Sequence, residues 1–291
     1  MRIQLDCIHC TLRQVLEAAR YASSDPAVHK EIILKSLDLL ANYDFSETPP
    51  TLGRAINRLV SEYTNNEDPY REIKAQSIQM ALEVYPELQK FVKEQDDPLR
   101  AAVHISAIGN LIDAGAYADL HLFDLRSRLK GELKKEFALL DLEELRRDLK
   151  TARTILILGD NAGETVLDRI LINEIKNSGE NKPQIYYGVR SAPVINDATW
   201  EDAVASGLDQ ETTIVETGST TAGFIEAEAD SEFLKLYSQA DLVISKGQGN
   251  YETLSESDQR TIYFILIAKC RAAADDIGVG LGDYVLLKKS N

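Results

Sequence analysis

The chain has 291 residues, of which 44% are hydrophobic and 27% charged, an ordinary composition that excludes a largely disordered protein. Acidic residues outnumber basic ones by 47 to 32, and the net charge of −15 disfavours nucleic-acid binding because a phosphate backbone would be repelled. No stretch reaches the roughly 18 consecutive apolar residues of a membrane span, and no signal-peptide pattern stands at the amino terminus. We therefore expect a cytoplasmic protein with no membrane partner.

The first half of the chain has helical periodicity almost throughout. Its apolar spacing predicts helices over residues 12–22, 29–41, 52–63, 70–84, 98–117 and 142–150. Several begin beside Asp-Pro or Pro-Pro, where proline suits the first helical turn and aspartate complements the helix dipole. The sequence predicts an all-helical domain over residues 1–150.

The second half alternates short β-branched runs with helical stretches. Strands are predicted over residues 154–158, 184–189, 212–215, 242–245, 262–267 and 284–287, and helices near 164–176, 199–206, 226–239 and 253–257. This alternation is typical of a mainly parallel sheet with helices on both faces and right-handed crossovers. We predict an α/β protein in which a Rossmann-like domain, residues 151–291, follows the helical domain.

Polar residues stand where the predicted strands end. Asp160 and Asn161 follow the first strand, Asp197 lies in the loop after the second, and Lys246 and Gly247 end the fourth. Because the carboxyl ends of parallel strands share one edge, these side chains should converge. The oxygen donors suit Mg²⁺ or Mn²⁺, and the lysine and glycine-rich turn suit an anion. Each feature alone also fits a helix cap or turn, so only their conjunction predicts a metal and phosphate site.

Four ordered motifs resemble the damage-control phosphatases, a metal-dependent family first catalogued as a domain of unknown function. The motifs are Leu158-Gly-Asp-Asn-Ala-Gly-Glu164, Val189-Arg-Ser-Ala-Pro-Val-Ile-Asn-Asp-Ala-Thr199, Ile244-Ser-Lys-Gly-Gln-Gly-Asn-Tyr-Glu252 and Ala268-Lys-Cys270. The amino-terminal Cys7-x-x-Cys10 and the segment Gly109-Asn-Leu-Ile-Asp113 are similar to the short, stand-alone microbial branch. The resemblance spans essentially the whole chain.

The resemblance implies a phosphatase that acts on small phosphorylated metabolites, including sugar phosphates. Asp160, Asn161 and Asp197 would be catalytic metal ligands for Mn²⁺, Mg²⁺, Co²⁺ or Ni²⁺, and Lys246 would bind the substrate phosphate. We expect attack by water rather than through an aspartyl-phosphate, because Ala162 stands where dehalogenase-type enzymes usually carry an acid/base aspartate. Further predicted substrate contacts are Asn110, Asp113, Glu164, Gly247 and Asn250.

Two other classes of function stay open. A transferase dependent on S-adenosylmethionine or a nucleotide would also use a strand, a turn and a helix, but Arg190 stands where its acidic ribose ligand would be expected. Alternatively, Cys7, Cys10 and Cys270 could build a noncatalytic metal-binding module, although a tetrahedral zinc site needs a fourth ligand. We favour buried, reduced cysteines. The sequence carries no signal for an oligomeric state.

Overall fold

The computed structural model describes residues 1–109, 122–178, 182–257 and 260–290, and its first part is helical. Aspartate side chains cap two of these helices, as the Asp-Pro pattern predicts: Asp25 accepts from the Ala27 N–H, and Asp97 accepts from the Arg100 N–H. The helices are α1 (Leu5–Ala22), α2 (Pro26–Ala41), α3 (Pro49–Thr64), α4 (Arg71–Lys93), α5 (Pro98–Ile108), α6 (Leu122–Glu132) and α7 (Leu142–Leu149).

A seven-stranded sheet takes six of its strands from the second part of the chain. Its strands are β1 (Phe137–Leu140), β2 (Thr154–Leu158), β3 (Gln184–Val189), β4 (Thr213–Glu216), β5 (Leu242–Lys246), β6 (Ile262–Ile267) and β7 (Tyr284–Lys289). The order across the sheet is β1-β7-β6-β5-β2-β3-β4, and every neighbouring pair is parallel except β6 with β7. Between the strands lie α8 (Glu164–Asn177), α9 (Trp200–Ala205), α10 (Ser231–Gln239), α11 (Gly247–Leu254) and α12 (Arg271–Ile277). The predicted mainly parallel sheet is confirmed.

Several elements differ from the sequence prediction, which gives no helix where α12 stands and starts α10 near residue 226 rather than at Ser231. Strand β1 interrupts the segment that was predicted to be all-helical and pairs with β7, because a four-residue run such as Phe137–Leu140 is too short to show a period. Helix α11 starts at Gly247, directly after β5, whereas the sequence predicted a helix only over residues 253–257. The glycines at 247 and 249 weaken the local helical signal there.

Helices cover both faces of the sheet. One face carries α4, α5, α7 and α8 in a single hydrophobic cluster that runs from Ile78 to Leu286. The other face packs against residues of α10 and α11, including Phe233 and Tyr251. Helices α1 to α3 form a smaller cluster with the start of α4. The boundary at residue 150 stays a prediction, but the larger cluster draws residues from both sides of it. None of the described helices has the length and apolar character to cross a membrane.

The chain order reverses between β2 and β5. Strands β2, β3 and β4 run outward to one side, and β5 and β6 lie on the other side of β2. Leu158 at the end of β2 is paired with Ser245 on β5, so the residues that follow the two strands emerge next to each other. Open α/β sheets bind their ligands at such a reversal, outside the carboxyl ends of the strands.

An aromatic cluster joins α5 to the far edge of the sheet. The imidazole of His104 lies 5.1 Å from the ring of Phe137 and 4.9 Å from the ring of Tyr284, measured between centroids. Its Nε2 is buried and has no hydrogen-bond partner among the described residues. The pKa of His104 is lowered to about 4, mainly by burial and in part by the nearby Arg100. The native protein therefore holds this imidazole neutral.

The neutral imidazole predicts a loss of stability in acid. Between pH 6.5, the ordinary pKa of histidine, and about 4, the unfolded chain binds a proton that the native protein does not, so the unfolding free energy falls as the pH falls. We expect the wild type to lose about 1 kcal/mol more than a His104→Phe variant between pH 7 and pH 5, after allowing for screening by solvent. Urea unfolding at both pH values measures this, and equal losses would contradict it.

Candidate active site at the strand ends

The three predicted metal ligands lie side by side. Asn161, just after β2, forms an isolated antiparallel bridge with Asp197, which comes from the loop after β3. The Ala198 N–H donates to the Asp160 carbonyl at 2.8 Å, and the Asn161 amide donates to the Asp160 carboxylate at 3.0 Å. All three side chains are buried. The structure thus brings together the two carboxylates and the amide that the sequence placed on one edge.

Arg190 is a site residue that the sequence analysis did not select. Its Nε donates to Asp197 Oδ2 at 2.8 Å, and both side chains are only 1% exposed. Its Nη2 donates to Asn250 Oδ1 at 3.0 Å, while Nη1 is buried without a partner among the described residues. The available signal was its position directly after β3.

Asp197 is electrostatically unfavourable as an isolated anion. The pKa of Asp197 is raised to about 7, mainly by burial and in part by Asp160, against the opposing effect of the ion pair with Arg190. A divalent cation between the carboxylates would remove the repulsion between them. Hard oxygen donors of this kind are those that Mg²⁺ and Mn²⁺ prefer, so the donor set fits such an ion.

The side-chain ammonium of Lys246 is hydrogen-bonded to neighbouring protein groups. The ammonium donates to Asp168 Oδ1 at 2.7 Å, to the Ser106 carbonyl at 3.1 Å and to Glu164. These three bonds use all of its N–H groups. Tyr187 holds the other oxygen of Asp168 at 2.7 Å. Asp168 is a second residue that the sequence analysis missed. Its position four residues after Glu164, on the same helical face, was the available signal.

The charges in this network explain its protonation. Burial lowers the pKa of Lys246, but Asp168 and Glu164 raise it by more, so the ammonium stays charged. The pKa of Glu164 is raised to about 8: burial contributes most, Asp168 and Asp160 add to the increase, and Lys246 opposes it. One lysine between two carboxylates leaves a negative charge uncompensated. Glu164 also accepts from the Asn161 amide at 3.3 Å, which joins the lysine network to the ligands.

Asn250 and Gly247 shape the site from α11. The Asn250 amide donates to the carbonyls of Gly159 at 2.9 Å and Lys246 at 2.7 Å, so it ties the ends of β2 and β5 together. Gly247 has a φ of +77°, and a Cβ there would lie 1.9 Å from Asp160 Oδ2. Only glycine allows this close approach, because the backbone passes directly beneath the carboxylate.

The other predicted contacts fall in two groups. Asn110 and Asp113 lie outside the described residues. Cys7, Cys10 and Cys270 are half-buried free thiols, and burial raises the pKa of Cys7. Within the described ranges, no three His, Cys, Asp or Glu side chains form a group that could hold a metal ion. The arrangement therefore gives no support to a cysteine metal module.

Comparisons with known proteins find relatives over nearly the whole chain. The family model described as "Damage-control phosphatase ARMT1-like domain" matches residues 3–285. An uncharacterised protein of Methanocaldococcus jannaschii is 36% identical, over 99% of this chain and 96% of its own. A damage-control phosphatase of Archaeoglobus fulgidus is 34% identical, over 98% of both chains.

A further relative links the sequence to a solved fold. A damage-control phosphatase of Pyrococcus horikoshii is 32% identical, over 99% of this chain and 98% of its own. The crystal structure of a DUF89 family protein from the same organism covers 99% of both chains, with a TM-score of 0.89 and 31% identity. The polar residues at the strand ends thus lie in a fold that this relative shares. The chain belongs to the damage-control phosphatase family.

Proposed function

We propose that the protein is a metal-dependent phosphatase that hydrolyses phosphomonoesters of small metabolites such as sugar phosphates. Family membership supports phosphatase activity in general. The metal dependence is inferred from the charge of the buried cluster at the strand ends. Its side chains include four carboxylates, those of Asp160, Glu164, Asp168 and Asp197, and two buried cations, Arg190 and Lys246, while the exposed Lys269 acts on Asp197 from outside. If all four carboxylates ionise, the buried cations leave two negative charges, and a divalent cation would balance them and oppose the raised pKa values of Glu164 and Asp197.

Asp160, Asn161 and Asp197 would hold this ion, with Mn²⁺, Mg²⁺, Co²⁺ or Ni²⁺ as candidates. When bound, it supplies Lewis-acid stabilisation of the charge that develops on the transferred phosphoryl group. The protein contributes backbone N–H groups at the start of α8 and at Gly247, which favour an anion at that edge. Because these donors are fixed by the fold, they need no reorganisation during the reaction.

Lys246 acts mainly on the neighbouring carboxylates and only secondarily on the substrate. Its ammonium holds Glu164 and Asp168, and it can reach a phosphate oxygen only by releasing an acceptor. The bond to the Ser106 carbonyl, at 3.1 Å, is the longest of its three hydrogen bonds. This acceptor would therefore be the first that Lys246 releases. We therefore assign Lys246 to charge balance first and to phosphate binding second. Asn250 keeps the strand ends together, so its part in substrate binding would be indirect.

Water is the nucleophile in this proposal. Asp160 as a covalent nucleophile is the competing version, because carboxylates do form aspartyl-phosphates. Two features favour water: Asp160 is engaged by the Asn161 amide, and Ala162 supplies no acid or base two residues later. Trapping a phosphorylated Asp160 during turnover would overturn this part of the proposal.

Loss of a metal ligand should abolish activity. We expect Asp160→Ala and Asp197→Ala to reduce metal-dependent phosphate release by more than roughly 100-fold, since removing groups that merely orient a ligand already costs about 10- to 100-fold. The measurement is phosphate release from a phosphomonoester panel with Mg²⁺, Mn²⁺, Co²⁺ and Ni²⁺. Asp209→Ala, at an exposed position, is the matched control. Absence of metal-dependent release from every compound would refute the proposal.

An alanine at position 247, next to Asp160, should reduce activity by more than its effect on stability explains. Gly247→Ala and Gly278→Ala each place alanine at a positive φ, +77° and +85°, but only the former brings a Cβ against Asp160. We expect Gly278→Ala to lose about 1 kcal/mol of unfolding free energy from the positive φ alone. Gly247→Ala should lose more, because its Cβ would lie 1.9 Å from Asp160 Oδ2 and force a shift. Only Gly247→Ala should also lose phosphatase activity, roughly tenfold or more, because the clash displaces a ligand. Equal activity in the two variants would count against the assignment of Asp160.

A further inference from the structure

The loop that carries Asp197 contains a strained residue. Ile195 has a φ of +40°, and the other non-glycine residue with positive φ in the described chain is Asn65, at the end of α3. Asparagine tolerates this conformation, but a β-branched side chain adopts it only under strain. Such strain persists only where surrounding contacts enforce it.

The strain belongs to a tight turn two residues before the ligand. The Asp197 N–H donates to the Val194 carbonyl at 3.1 Å, which closes a four-residue turn with Ile195 in its second position. Ile195 has positive φ and Asn196 does not, the sign pattern of a type II′ turn, where glycine is the usual residue. At the third residue of the turn, the Asn196 carbonyl accepts from the Ala162 N–H at 2.9 Å. The turn therefore sets the direction in which the chain delivers Asp197.

The helical layer supplies the contacts that enforce the turn. The Ile195 side chain packs against the hydrophobic cluster of α1 to α3, which includes the fully buried Val15 and Val60. Asn57 on α3 donates to the Pro193 carbonyl at 3.4 Å, on the amino-terminal side of the turn. On the other side, the buried Lys74 of α4 forms an ion pair with Asp202 at 2.8 Å.

We propose that Ile195 is a positioning residue: its packing on the helical layer offsets the strain of the turn and thereby fixes Asp197 for metal binding. A glycine would adopt the turn without strain but would leave it unattached to the helices. An alanine would keep the strain and lose the packing, so the turn would open most readily. The inference rests on the proposed function only in taking Asp197 as a metal ligand.

The order of two variants tests this inference. In the metal-free full-length protein, hydrogen exchange followed by mass spectrometry should show faster exchange of the peptide spanning residues 192–199 in Ile195→Gly than in wild type, and faster still in Ile195→Ala. Calorimetric titration with Mn²⁺ should give a Kd raised about threefold in Ile195→Gly and about tenfold in Ile195→Ala. Thermal unfolding confirms that each variant is folded.

Asn65→Gly is the control, because it changes a positive-φ residue at the end of α3 and should leave exchange at residues 192–199 and the Kd for Mn²⁺ unchanged. Wild-type exchange and wild-type Kd in both Ile195 variants would overturn the inference. If the wild type itself bound no Mn²⁺, the proposed function would fall, whereas the order of exchange rates would still decide whether Ile195 holds the turn.

Discussion

The site depends on the compensation of negative charge among side chains that are almost fully buried. Four carboxylates converge where the chain order reverses, and two buried cations balance half of their charge. Removal of charged groups from water is costly unless partners and hydrogen bonds satisfy them. Every other feature of the site follows from this constraint: the threefold use of the Lys246 ammonium, the ion pair of Arg190, and the raised pKa values of Glu164 and Asp197.

The sequence predicted the parts of the site that depend on strand ends. Asp160, Asn161 and Asp197 could be placed together because the edge of a parallel sheet collects whatever follows its strands. Arg190 and Asp168 were missed for a different reason. Their roles depend on which groups face them in three dimensions, and a lone arginine in a loop or an aspartate within an apolar helix has no periodic signature.

Strand β1 and the role of Lys246 show the same limit. A four-residue apolar run fits a strand or the end of a helix equally well, and only its pairing with β7 decides between them. Lys246 stands at the predicted edge, but its contact with the Ser106 carbonyl could not be read from the sequence, since 140 residues separate the two. Local pattern thus located the edge of the sheet, and the tertiary contacts determined how each residue there is used.

The span of these contacts also constrains how the protein acquires its site. The hydrogen bond between Lys246 and Ser106 joins α5 to β5, and further bonds join Asp148 to Tyr263 and Lys288, across 115 and 140 residues. Contacts so distant along the chain close large loops, whose entropy must be lost before any contact is gained, and they slow folding. During synthesis, α4 and α5 leave the ribosome before the sheet that they cover. The edge that carries Lys246 therefore cannot form until β5 has been synthesised, and a chain that stops before β5 lacks it.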